Sequence, residues 1–291
     1  MTRGAAKACL SVEQETVTRT SRNVVARIKG TDKAEEILTL TAHYDSVPEG
    51  PGAYDNMSGA AIIMELCRYF KEHRPRRTME FVWFGAEEKG LLGSRNYIKE
   101  HETELPAHRF NMNVDLAGQL VGGTVVGVTG DASICNMITY MAHETGIGMS
   151  TKNQIWGSDS NTFAWKGIPA MTLNRDGFGM HTRHDTIALL SDWSLERSAI
   201  LLGHIADRLG NIEIFRLNGK CRKSLSDNWM NILANVIPAV CIILAESIPH
   251  LTNERQIDTL SQERFLCYRR KTMWMQGSIT RICILKSNKR R

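Results

Sequence analysis

Proline is scarce in this 291-residue chain, with seven in all against 23 glycines, which speaks against low-complexity linkers and a collagen-like repeat. Cysteine is present but never paired at short range. Cys9, Cys67, Cys135, Cys221, Cys241, Cys267 and Cys283 are odd in number and form no CxxC motif, which excludes a zinc ribbon or a thioredoxin-type site. No apolar core of a signal peptide precedes Arg19. The expectation is a cytoplasmic chain as written, or a secreted one if the native N-terminus is missing. Residues 236–245 form an uncharged apolar run of ten, where a bilayer span needs roughly 20. Widening it to 230–248 brings in Asn231, Asn235, Pro238 and Glu246, so a membrane span is the lesser reading there. No internal repeat is visible.

Positive charge is missing from most of the chain although the net charge is +5. Residues 1–215 hold 22 Lys and Arg against 26 Asp and Glu, whereas residues 216–291 hold 14 against 5. Four of the seven cysteines and only two glycines (Gly219 and Gly277) also fall in that second stretch. The break divides the chain into a domain over 1–215 and a basic tail over 216–291, for which sequence added by a frameshift is the best account. A mildly acidic main body is not a specific nucleic-acid binder. The tail suits weak contact with membranes or polyanions.

What is present fits a folded globular chain. Hydrophobic residues make up 42% and charged residues 23%, and the length suffices for a core without disulfides. Alternation over 22–29 and short apolar runs at 37–42, 78–84, 110–116, 123–129 and 168–173 predict strands. Residues 57–71, apolar on most faces, predict a well-buried helix. Further helices are expected over 132–145 and 192–209, the last with Leu195, Ile200, Leu201, Ile205 and Leu209 spaced for one face. Cys67, within an apolar run, reads as a small buried hydrophobe.

Strands alternating with helices predict an α/β fold with a mostly parallel sheet. Functional groups in such sheets gather where strands end, and the polar clusters fall there. His43 and Asp45 follow one strand in AHYDSV, and Glu87 and Glu88 follow another in GAEEKGLLGS. Asp115 stands in NVDLAG, Asp55 in GAYDNMSG and His181 in MHTRHDT. Singly, each has a plain structural reading as a turn, a strand end or a solvated acid. Together they supply two imidazoles and several carboxylates without thiolate, a donor set suited to a pair of divalent metal ions.

The order HxD, DN, EE, D and HTxxDT resembles the co-catalytic dizinc aminopeptidases, a family that includes bacterial leucyl aminopeptidases and, more distantly, glutamate carboxypeptidase. The resemblance runs from about Asn23 to about Ile214. It implies a three-layer α/β/α zinc-exopeptidase fold, two zinc ions, a peptide substrate and removal of N-terminal residues. It implies that His43 and Asp115 hold one zinc, Glu88 and His181 the other, and that Asp55 bridges both. Asp45 would orient the His43 ring, and Glu87 would be the general base. The pattern places the ligand at His181 rather than His184, and gives Asp185 and Thr186 structural hydrogen bonds. His73, His101, His108, His143, His204 and His250 match no motif and are read as surface or packing residues.

Two departures stand out. The run SDSNTFAWKGIPA carries Ser160 where relatives have His or Tyr, and residues 157–161 are expected to line the pocket. Only some twenty residues precede Asn23, where relatives carry further elements, so the chain is expected to be N-terminally truncated. Two alternatives stay open: a glutaminyl-cyclase-like enzyme with a single zinc, which usually has Trp where this chain has Met180, and an inactive scaffold protein.

Overall fold

Residues 8–12, 17–154 and 156–217 are described in the computed structural model of the protein, with short backbone strands at 268–269, 272–273 and 280–284. The apolar run at 236–245 and His250 lie outside the described residues. By contact the chain divides into Ser21–Leu233 and a second unit of Met1–Thr20 with Ala234–Arg291. The elements in chain order are β1 (Ala8–Val12), β2 (Val24–Ile28), β3 (Lys33–His43), α1 (Ser58–Glu72), β4 (Arg77–Phe84), α2 (Leu92–Glu100), β5 (His108–Val114), β6 (Thr124–Thr129), α3 (Ala132–Thr145), β7 (Ser150–Asn153), α4 (Ser160–Trp165), β8 (Ala170–Arg175), α5 (Asp192–Asn211), β9 (Tyr268–Arg269), β10 (Thr272–Met273) and β11 (Thr280–Ile284). In the second unit, β1 pairs antiparallel with β11 and β9 with β10.

The first unit is built on one seven-stranded sheet in the order β2-β4-β3-β5-β8-β6-β7. The pairs β4/β3, β3/β5, β5/β8 and β6/β7 are parallel; β2/β4 and β6/β8 are antiparallel. Side chains alternate across the pleat, and the two faces differ in chemistry. Leu38, Leu40 and Ala42 of β3, Met79 and Phe81 of β4, and Phe110, Met112 and Val114 of β5 bury against α1, α3 and α5 in one large apolar core. The intervening positions face α2 and α4. There Val82 and Phe84 pack with Tyr97, Ile98 and Phe163 in a smaller core. Beside it runs a buried polar row: Thr39, Thr41 and His43 on β3 next to Asn111 and Asn113 on β5. This is the three-layer α/β/α arrangement that the sequence led us to expect.

Some elements differ from expectation. The α1 helix is amphipathic rather than buried all round: Ile62, Ile63, Leu66 and Phe70 face the core, while Met64 and Tyr69 lie exposed. On α5 the core stripe is Leu201, Ile205 and Leu209, spaced by one turn, and Ile200 points to solvent. The helix ends on Arg77, a fully buried residue that opens β4. Its Nη1 donates to the carbonyls of Ile212 at 2.6 Å and Leu209 at 3.3 Å, and its Nε to Glu36 at 2.6 Å. A guanidinium here satisfies the last carbonyls of α5 and complements the negative end of its dipole.

Candidate metal centre

The strands β4, β3, β5 and β8 are adjacent and parallel, so their carboxyl ends open on one side of the sheet. Glu87 and Glu88 follow β4, His43 ends β3, Asp115 follows β5, and the loop carrying His181 follows β8. Asp55 comes from the segment just before α1. These six residues, and Asp45 two positions after His43, therefore meet at one place.

The geometry centres on Asp55, which is 5% exposed. Its Oδ1 lies 3.2 Å from His43 Nε2 and its Oδ2 2.7 Å from His181 Nε2, so each oxygen faces a different imidazole. Asp115 Oδ1 lies 3.5 Å from the same His43 nitrogen, and Glu88 Oε1 lies 2.9 Å from the same His181 nitrogen. Two donor clusters result. Asp55, Glu88 and His181 form one; His43, Asp115 and Glu87 form the other, with ligand atoms within 4.8 Å of one another in each. His184 is exposed and outside both clusters.

Three of these residues are flanked by, or are, backbone in the left-handed region: Ala86 before Glu87 (φ 59°), Leu116 after Asp115 (φ 72°) and His181 itself (φ 60°). Such conformations are uncommon for residues with a side chain, and their gathering here marks a site held against local preference. At Gly93, in α2, a Cβ would stand 2.2 Å from the Gly85 carbonyl, so glycine lets this helix close on the turn that leads to the glutamates.

Around this shell lie residues that place it. His43 Nδ1 faces the Asp45 main-chain oxygen at 3.1 Å and its carboxylate at 3.6 Å. The Asp45 carboxylate also accepts from the amides of Glu87 at 3.0 Å and Glu88 at 3.2 Å. One residue thus faces the His43 ring and holds the glutamate pair. Ser158 Oγ donates to Asp115 Oδ2 at 2.6 Å and accepts from Asn113 Nδ2 at 2.6 Å. Asn113 in turn accepts from Thr41 Oγ at 2.8 Å, linking Asp115 to the buried polar row. Within 157–161, residues 158–161 are buried, and Ser160 turns its hydroxyl to Thr172 Oγ1 at 2.6 Å.

The electrostatics follow from crowding acids and imidazoles in a dry place. Burial pushes the His43 imidazolium down, but Asp115, Asp45 and Asp55 outweigh it and hold the ring well above its ordinary value. Asp55 and Glu88 hold His181 up to about 9. Asp55 is raised by burial yet ends far below the usual carboxylate range, because both imidazoles face it. Glu87 behaves oppositely: burial pushes it up to about 10, with His43 opposing and Asp115, Asp159 and Glu88 adding to the rise. Asp159, wholly buried, is pushed up to about 7 by desolvation against the pull of His43.

Asp159 and Ser158 are the contributors that motif reasoning left without a role at the centre, whereas Asp185, expected to make structural hydrogen bonds, accepts from the amides of Tyr54 and Asp55. The run SDSN before an apolar segment marked the first two as pocket candidates, but nothing in it says which hydroxyl meets Asp115.

Comparison with known proteins gives the following. The profile of peptidase family M28 matches residues 23–206. Aminopeptidase YwaD of Bacillus subtilis (strain 168) is 42% identical over 102 residues, 34% of this chain and 22% of that protein. The structure of BSAP, described as a zinc aminopeptidase from Bacillus subtilis, is similar with a TM-score of 0.61 and 28% identity, covering 66% of this chain and 50% of that one. A glutaminyl cyclase from an Acidobacteriales bacterium shares the fold with a TM-score of 0.54 and 19% identity, covering 65% of this chain and 74% of that one. The chain thus spans half or less of the length of the two aminopeptidases it matches.

Proposed function

The chain belongs to peptidase family M28, and from that premise we propose that it is a zinc-dependent aminopeptidase that hydrolyses N-terminal residues from peptides. The observation that carries the reading is Asp55, whose two carboxylate oxygens face two different imidazoles. A carboxylate so placed suits a bridge between two ions.

The donor set fits zinc. Each cluster offers imidazole nitrogen and carboxylate oxygen without thiolate, as catalytic zinc sites do. In this reading His43 and Asp115 would hold one ion, Glu88 and His181 the other, and Asp55 both. Bound there, the ions would polarise the scissile carbonyl and lower the pKa of a water toward about 7.

The chain's own residues do the rest. Glu87 stands among the donors of the cluster with His43 and Asp115, and burial drives it toward the neutral form, so it is the group poised to change protonation. Cations held in the clusters would oppose that rise and free the carboxylate to act as base. Glu87 then takes a proton from the attacking water and delivers it to the leaving amine. Asp45, bonded to both glutamate amides, fixes which carboxylate turns to which task.

The test is a panel of free aminoacyl-anilides, their N-acetylated counterparts and N-terminal glutaminyl peptides, assayed with and without a chelator. Hydrolysis restricted to free-amine substrates, lost on chelation and restored by zinc, is expected. Cyclisation of glutaminyl peptides without anilide hydrolysis would replace this reading with the single-zinc alternative.

A further inference from the structure

Asp185 is 1% exposed and lies four residues after His181. Three successive amides of another segment donate to it. Ala53 N–H reaches its main-chain oxygen at 3.3 Å, Tyr54 N–H its Oδ1 at 2.6 Å and Asp55 N–H its Oδ2 at 3.0 Å. These amides precede α1, in a stretch where the backbone at Asp55 is not helical (φ −118°, ψ 89°), so no regular ladder satisfies them. A carboxylate accepting from two of them makes charge-assisted bonds, stronger than neutral ones. Because both of its oxygens face amides, Asp185 is not a further metal ligand.

The two segments are also packed without slack. A Cβ at Gly50 would stand 2.2 Å from the Thr182 carbonyl, so the loops approach backbone to backbone. Within its own loop the Asp185 amide donates to Thr182 O at 3.1 Å, and Thr182 Oγ1 donates to Gly179 O at 2.7 Å. The loop bearing His181 and the segment bearing Asp55 are therefore joined at Asp185. Beside this junction His181 Nε2 lies 2.7 Å from Asp55 Oδ2. Asp45 makes the corresponding arrangement on the other side, lying two residues after His43 and accepting from the amides of Glu87 and Glu88.

We propose that Asp185 is a positioning residue which sets the shared carboxylate Asp55 in register with His181, and so determines the affinity of the metal site that Asp55, Glu88 and His181 form. The proposal rests on the dinuclear reading above. His43 and Asp115 stand at the ends of core strands, so the other site, which shares only Asp55 with this one, is expected to depend on Asp185 less.

The test uses the full chain with Asp185→Asn, which retains one acceptor oxygen and turns an amide N–H against the second donor. A second variant, Asp185→Glu, keeps charge and both acceptors but displaces them by one methylene. Asp131→Ala, which removes the N-terminal cap of α3 (Asp131 Oδ1 accepts from Ser133 N–H at 2.8 Å), controls for a loss of stability remote from the site. Amide exchange at Tyr54 and Asp55 is read on zinc-free protein, and zinc affinity by calorimetric titration. Asp185→Asn is expected to speed exchange at both amides and to weaken the second zinc by about 10- to 100-fold, the range found when outer partners of metal ligands are removed. Its kcat should fall with KM nearly unchanged, Asp185→Glu should recover part of the loss, and Asp131→Ala should change neither zinc affinity. Unchanged exchange at Tyr54 and Asp55 would overturn the clamp itself, whatever zinc does. Faster exchange with both zinc affinities intact would overturn the positioning role. If Asp185→Asn fails to fold, the same two readouts on Asp185→Glu decide. A wild-type chain that takes up only one zinc would instead refute the dinuclear reading, a result seen before any variant is made.

Discussion

Glu87 and Glu88 are neighbours in the chain with different surroundings, and the account assigns them different work. Glu88 faces His181 at 2.9 Å, whereas Glu87 is driven toward its neutral form by burial. Glu87→Gln keeps the shape and removes the basicity. It should leave zinc content near normal and lower kcat by about two to four powers of ten, the usual contribution of acid–base catalysis. Glu88→Gln should instead weaken zinc binding, and exchanged phenotypes would reverse the assignment. A second expectation concerns pH. Without zinc, His181 is held up to about 9 against an ordinary 6.5, and Glu87 up to about 10 against 4.5. Both bind their protons more tightly folded than unfolded, so their contribution to stability is complete below the unfolded values and is lost as pH rises. The melting temperature of the zinc-free protein should therefore fall between about pH 6.5 and 9. In excess zinc the trend should flatten or reverse, because the metal needs the deprotonated ligands. Parallel melting curves in the two conditions would contradict the assignment of His181 to the centre. At this scale the residues at strand ends were legible in the sequence, since short motifs mark them. The partners of Asp185 and Ser158 were not, because hydrogen bonds to Asp55 and Asp115 join residues 130 and 43 positions apart.

Among the elements, those that bury an apolar stripe were readable: β3, β4, β5, β6, β8, α1, α3 and α5 all stand near their expected places. The elements missed in the seven-stranded unit lack such a stripe. The β7 strand is STKN, a polar edge that buries little, α4 is only six residues long, and α2 opens LGSRN with little hydrophobic period. The same limit hid the buried ion pair at the start of β4. A basic residue before an apolar run reads as a surface residue, yet Arg77 is wholly enclosed between Glu36 and the end of α5. Arg77→Ala should destabilise the protein by about 3 kcal/mol, because it leaves two helix-end carbonyls without their donor and Glu36 with Arg109 alone, at 3.2 Å. Denaturant unfolding measures this, and a change below about 1 kcal/mol, the range of an exposed pair, would show that the contact is not formed in solution.

At the scale of the molecule, the two faces of one sheet divide the labour between stability and chemistry. The apolar face against α1, α3 and α5 carries most of the buried hydrophobic surface, and the polar row on the opposite face leads to the metal centre. The fold class was legible because alternating strands and helices constrain it strongly; the chemical asymmetry of the faces was not, because it depends on which strands become neighbours. The claim that joins fold to function is that this centre holds two zinc ions through a shared Asp55. Titrating zinc into the chelator-stripped full chain, while following metal bound per folded molecule and hydrolysis of an aminoacyl-anilide, tests it most directly. Two zinc ions should bind, with activity complete only when both sites are filled. Saturation at a single zinc, with full activity or with none, would contradict it.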